Sequence, residues 1–329
     1  MLAVSESVTE TIKQIIQSLQ IRFLFPAIVL MVLNIQLLSN IVENDSFLIT
    51  ISVVLIILFS YLFSALNGLI IKLAEGYELS HNPIYSIRKI FQTNRYEKLT
   101  RKIDTHTKII NEIGAVYNVL DIDDSLTDEE RKTIRNEIDK IKNTLQIELN
   151  KLREDKNIRF SDKAIFPTDI GNTIAAFEDY PRTRYGMDSV YLWPRMLLIL
   201  KDKKFLELVQ NEKTTMDFLL NLALVSIVIS VELILYNHYY LSLYCFIITI
   251  IFYYAANAVA IDWGIMVCTA FDLYRDDLRK ALHLPEIPKN SLEQEKEQWQ
   301  KISKFIMFAD ADEFEGFDYS RQPQSEMDN

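Results

Sequence analysis

Residues 46–71, SFLITISVVLIILFSYLFSALNGLII, carry no charged side chain. A bilayer's hydrocarbon core is roughly 30 Å thick and takes about 20 apolar residues to cross as a helix, more than a water-soluble core helix presents in one run. Three further stretches, 21–39, 216–236 and 241–261, are also predominantly apolar. The expected fold is an all-α integral membrane protein with four transmembrane helices. They form two hairpins around an inserted helical cytoplasmic domain.

Lys and Arg are absent from both short connections, 40–45 and 237–240, and occur before or at the very start of the first span, between the hairpins and after the last. Positive charge is retained on the cytoplasmic side, so both termini and the middle segment are expected in the cytoplasm. The chain divides into an amphipathic N-terminal helix (1–20), a first hairpin (21–79), a cytoplasmic domain (80–215), a second hairpin (216–284) and an acidic tail (285–329). The formal net charge of -10 lies mainly in the tail after Pro285, and an acidic tail argues against nucleic acid as a partner. Cys245 and Cys268 have no spacing suited to a metal or a disulfide framework.

In the middle segment Leu99, Ile103, Ile110, Ile113, Tyr117 and Leu120 follow a heptad spacing, as do Ile134, Ile138, Ile141, Leu145, Leu149 and Leu152. The spacing predicts two antiparallel helices. Thr127 and Glu130 have the form of a capping box that opens the second. The acidic stretch before it is no calcium loop, because Leu126 stands where the turn needs Gly and Lys132 where a bidentate Glu belongs. His106 falls on the apolar seam and reads as structural.

Residues 166–200 differ in character. Thr168 can cap a helix with Ile170, Ile174 and Phe177 on one face, and Pro181 is expected to stop it. Asn172, Glu178, Tyr180, Arg184, Tyr185, Asp188, Trp193 and Arg195 crowd into and around it. Carboxylates and guanidinium groups so close together form a buried ion-pair network, hold an anionic ligand or set a carboxylate up for acid–base work. The short run 196–200 either enters the headgroup region or packs on the membrane helices.

The elements Ile-Gly-Asn, Glu-x-Tyr, Arg-Tyr-Gly-Met-Asp and Trp-Pro-Arg within 170–195, with Phe-Asp-Leu-Tyr-Arg at 271–275, resemble a family of uncharacterised bacterial multi-pass inner-membrane proteins. The resemblance implies a bacterial inner membrane and adds Asp272 and Arg275 to the candidate site. It implies no activity. Separately, laying residues 76–79 on 270–273 brings the first span onto the third, which suggests a duplicated hairpin.

Within the spans, Glu232, Asn67, Asn257 and Asp262 are polar groups in a costly solvent and are expected to face other helices or water. Phosphate-binding glycine loops, paired-histidine zinc helices and nucleophile elbows are absent, so no cofactor, metal or catalytic residue is assigned. The sequence thus points to a non-enzymatic, homo-oligomeric protein that couples a cytoplasmic sensing domain to its spans, as a pore-forming effector or a signalling component. Its partners would be the lipid bilayer and a cytoplasmic protein held through the tail. An enzyme acting on lipid headgroups and a solute or ion transporter are the alternatives.

Overall fold

The computed structural model describes residues 21–39, 42, 44–76, 83–122, 127–284 and 291–308. The expected N-terminal helix, the end of the tail, residues 77–79 and most of the acidic stretch before Thr127 lie outside them. Among the described residues there is no strand. The helices are α1 (Ile21–Ser39), α2 (Asp45–Glu75), α3 (Pro83–Ile122), α4 (Asp128–Arg159), α5 (Asp169–Tyr185), α6 (Ser189–Ile199), α7 (Lys203–Leu235), α8 (Tyr239–Ala281) and α9 (Leu292–Phe308).

Three of them, α2, α7 and α8, are long and apolar enough to cross a membrane, and α1 is apolar but shorter. Local chemistry fixes their ends. The Asn44 side chain accepts the Phe47 amide at 3.1 Å to start α2, and Gly76 ends it in the left-handed region. Asp202 caps α7 through the amides of Lys204 and Phe205, so that helix begins well before its apolar stretch and carries it rigidly. α8 likewise continues past its apolar part to Ala281.

The α3–α4 pair is antiparallel along the expected seam, tied by Tyr117 to Asp139 and by His106 Nε2 to Glu148 at 3.3 Å. The capping box is present: the Thr127 amide donates to Glu130 Oε2 at 2.9 Å, and the Glu130 amide to Thr127 Oγ1 at 3.4 Å. Two helices alone cannot enclose a seam, and of the heptad residues whose burial is described only Leu149 is buried, while Ile141 is exposed.

Two apolar clusters organise the remainder. One joins Phe23 and Ala27 of α1, Phe63 and Ile70 of α2, Met216 and Leu220 of α7, and Ala256 and Ala260 of α8. The other joins Leu192 and Met196 of α6, Ala270, Phe271 and Leu278 of α8, and Trp299 and Ile302 of α9. α5 contributes Ile170 and Ile174 to the first and Tyr185 to the second. The run 196–200 therefore packs against α8.

Pro181 does not stop α5, which continues to Tyr185. A proline inside a helix frees the carbonyl four residues back. Here that is Phe177, and its oxygen accepts from Cys268 Sγ at 3.9 Å on α8. The helix ends instead at Gly186, in the left-handed conformation at φ 77°.

Candidate functional site

α5 lies parallel to α8 with its first turn against the end of α2. Thr168 Oγ1 accepts the Gly171 amide at 3.0 Å, which caps α5, and donates to the Glu75 carbonyl at 2.8 Å. That carbonyl sits so near Gly171 that an added Cβ would fall 2.0 Å from it, which reserves the position for glycine. Asn172 braces the approach: its Oδ1 accepts the Phe166 amide at 2.7 Å and its Nδ2 donates to the carbonyls of Phe166 and Thr168, both at 2.9 Å. Further along, Thr173 donates to Asn257 Oδ1 at 3.2 Å.

The same helix is held from the other side. Asp169, in its first turn, accepts from Arg95 Nη1 at 2.7 Å and from Gln92 Nε2 at 3.3 Å, both on α3. α5 is thereby bonded at one end to the α3–α4 pair, to α2 and to α8.

At its other end, Asp272 of α8 accepts from Tyr185 at 2.6 Å and from Tyr180 at 3.0 Å. The Arg275 guanidinium lies 4.5 Å from the centre of the Tyr185 ring and donates to Glu295 of α9 at 2.8 Å. Arg184 flanks both rings, 5.6 Å from Tyr180 and 5.9 Å from Tyr185. Burial, with the carboxylate beside them, pushes both phenols above their ordinary range, so they act as neutral donors.

Asp188 pairs through Oδ2 with Arg182, and its amide donates to Ser303 of α9 at 2.9 Å. Asp188 Oδ1 is buried with no hydrogen-bond partner among the described residues. Glu178 is largely buried nearby; desolvation first, and then the Asp188 charge, raise its carboxyl above the ordinary value, against a smaller opposing pull from Arg182. Trp193 packs toward Phe271 with ring centres 6.2 Å apart. Arg195 stands apart, bonded to the Tyr191 carbonyl at 2.7 Å on its own helix.

A cleft of about 660 Å³ opens between the end of α4, α5 and the start of α9. Phe160, Asp179, Tyr180, Thr183, Arg184 and Lys296 line it. Aromatic walls with charges of both signs suit a small polar ligand. Among the described residues no group of His, Cys, Asp and Glu is arranged to hold a metal ion.

Inside the apolar layer the polar residues fall in two levels. Asp217, 1% exposed, accepts from Arg22 Nη1 at 2.6 Å and Asn67 Nδ2 at 3.1 Å, and pairs with Lys213. Asn221 joins them through the Asp217 carbonyl at 2.8 Å. Nearer the other end of α1 and α7, Asn34 Nδ2 donates to Glu232 at 3.2 Å. Asp262 is exposed and takes part in neither level.

No family model, curated protein or solved structure matches this chain. The structure brings Tyr180, Arg184, Tyr185, Asp272 and Arg275 together, and sets Glu178 beside Asp188. Sequence reasoning missed Arg22, Lys213 and Asp217, although a charge of each sign at the start of two apolar runs was a usable signal. It also missed Arg182, Glu295 and Ser303, for which no sequence signal was at hand.

Proposed function

We propose that this chain is a four-span, non-enzymatic protein of a bacterial inner membrane, with both termini cytoplasmic, in which α5 transmits the state of a cytoplasmic sensing domain to the spans. Supporting the fourth crossing, the 19 residues of α1 extend about 28 Å at 1.5 Å per residue, close to the thickness of a hydrocarbon core. The two polar levels, Arg22–Asp217–Asn67 and Asn34–Glu232, then lie toward opposite faces of the bilayer. Intramembrane charges of this sort face other helices, as these do.

The observation that carries the coupling is the three-way attachment of α5: to α3 through Asp169, to the last turn of α2 through Thr168, and to α8 through Thr173, Tyr180 and Tyr185. Any displacement of the α3–α4 pair, or any ligand wedged in the adjoining cleft, moves a rigid element seated on two spans. In an oligomer, that motion would open a pore or signal to a partner.

Asp169→Ala removes the acceptor for both Arg95 and Gln92, and so severs the α3 link without touching a span. Amide hydrogen exchange in the last turn of α2 and in the 253–264 part of α8 should rise in this variant reconstituted in liposomes. Unchanged exchange at both places would overturn the coupling.

A further inference from the structure

The first turns of α3 present Ile87, Ile90 and Phe91 at 67%, 61% and 66% exposure. Their i, i+3, i+4 spacing puts them on one helical face. Arg88 and Lys89 lie among them, Arg95 follows, and residues 83–96 contain no Asp or Glu. Three large apolar side chains on an open helix face are out of place in water.

Their depth explains them, given the membrane reading above. Gln92 and Arg95 bond Asp169, and the next residue, Ile170, donates its amide to the Tyr253 hydroxyl at 3.4 Å. Tyr253 is about 21 Å along α8 from its start at Tyr239, at 1.5 Å per residue, and therefore within a hydrocarbon layer of roughly 30 Å. Gln92 is thus at the level of the inner leaflet. One turn on, Tyr96 donates to Asp162 at 2.9 Å and packs on Phe160, which share the cleft with Tyr180 beside Asp272, so α3 runs from the level of Tyr253 toward the far end of α8 and residues 87–91, which precede Gln92, are as deep or deeper.

We propose that the start of α3 is a lipid anchor, with Ile87, Ile90 and Phe91 in the upper acyl region of the inner leaflet and Arg88 and Lys89 on the phosphates of anionic phospholipids. Apolar burial and attraction to anionic headgroups are the two contributions that hold an amphipathic helix at such an interface. The anchor fixes the root of the α3–α4 lever beside its bonds to α5, so the lever pivots from the membrane surface.

The test is a nitroxide at Ile90→Cys in a Cys245→Ser/Cys268→Ser background, in vesicles of phosphatidylethanolamine and phosphatidylglycerol, read by collision with oxygen and with an aqueous nickel chelate. Val54→Cys on α2 and Lys108→Cys further along α3 serve as the lipid and water references. The Ile90 label should favour oxygen over nickel several-fold relative to Lys108. Adding Arg88→Gln and Lys89→Gln should raise its nickel collisions several-fold, and no rise would overturn the role of the two cations.

A water-like Ile90 with a lipid-like Val54 would overturn the anchor alone. If Val54 also resembled Lys108, the membrane reading itself would fall. An Ile90 label shielded from both reagents and broadened by a neighbouring spin would overturn the anchor in favour of a second copy of the chain.

Discussion

Tyr185 donates its phenolic hydrogen to Asp272 at 2.6 Å, joining the end of α5 to the C-terminal part of α8 across 87 positions of sequence. Tyr180 shares the carboxylate at 3.0 Å, and Arg275, next to it on α8, carries the contact on to Glu295 of α9. Three helices thus meet through Asp272 and Arg275, one turn apart on α8. Hydrogen bonds to a charged group contribute about 1.5–3 kcal/mol.

Tyr185→Phe should therefore lower stability by about 1.5–3 kcal/mol, and Asp272→Ala by more, because it strands the buried Tyr185 phenol and the half-buried Tyr180 phenol at once. Thermal unfolding in detergent measures both. In the double variant the losses should fall well short of additive, as residues in direct contact do in such cycles. Simple additivity would mean that the two residues are not coupled in the folded protein.

Asp217 offers a stronger test. It is the acceptor for Arg22, Lys213 and Asn67 in the apolar layer, and removing one partner of a buried ionic group leaves the others uncompensated. Asp217→Ala should destabilise by about 3–5 kcal/mol. Replacing Arg22, Lys213 and Asp217 together with Leu should recover most of that loss, since the cost lies in the unpaired charge. A triple variant no better folded than Asp217→Ala, judged by monodispersity in detergent and unfolding midpoint, would show that the network has another role.

What was legible in the sequence follows the range of the interactions involved. The apolar runs, the Thr127 capping box and the heptad seam are local patterns, and each maps onto a helix or a helix pair. The composition of 166–200 also announced a network, because charges so dense must pair. Partners were not legible: Asp169 finds Arg95, Thr168 finds Glu75, and Asp188 finds Ser303, each far away along the chain. Pro181 misled for the same reason, since the group facing the freed Phe177 carbonyl, Cys268, belongs to another helix. Arg195 had the right chemistry but lies outside the cluster.

Glu178 should make stability depend on pH. Burial and Asp188 raise its carboxyl above the ordinary 4.5, so in this range the folded state binds the proton more tightly than the unfolded state does. That contribution is fully present below the unfolded value and is lost as pH rises through the folded one. The wild-type unfolding midpoint should accordingly carry a falling component from about pH 4.5 upward. Glu178→Gln, neutral throughout, should remove that component and gain most relative to wild type at the alkaline end. Parallel pH profiles for the two proteins would show that folding does not raise the proton affinity of this carboxyl.

Gly186 decides whether α9 stays seated. Its φ of 77° is left-handed, and an added Cβ would lie 2.2 Å from the Lys296 carbonyl of α9. Gly186→Ala thus combines a backbone cost of about 1–2 kcal/mol with a clash against main chain that no rotamer change relieves. Trp299, 0% exposed, and the Ser303 bond to the Asp188 amide lie in the contact that must open. Hydrogen exchange across α9 should rise and emission from Trp299 should shift to the red, measured with Trp193 and Trp263 replaced by Phe. Gly114→Ala is the matched control, because nothing lies within 4 Å of its added Cβ and its position is helical. There the substitution should be neutral or stabilise by about 0.4–1 kcal/mol, so a loss confined to Gly186 would isolate the α9 contact as the cause.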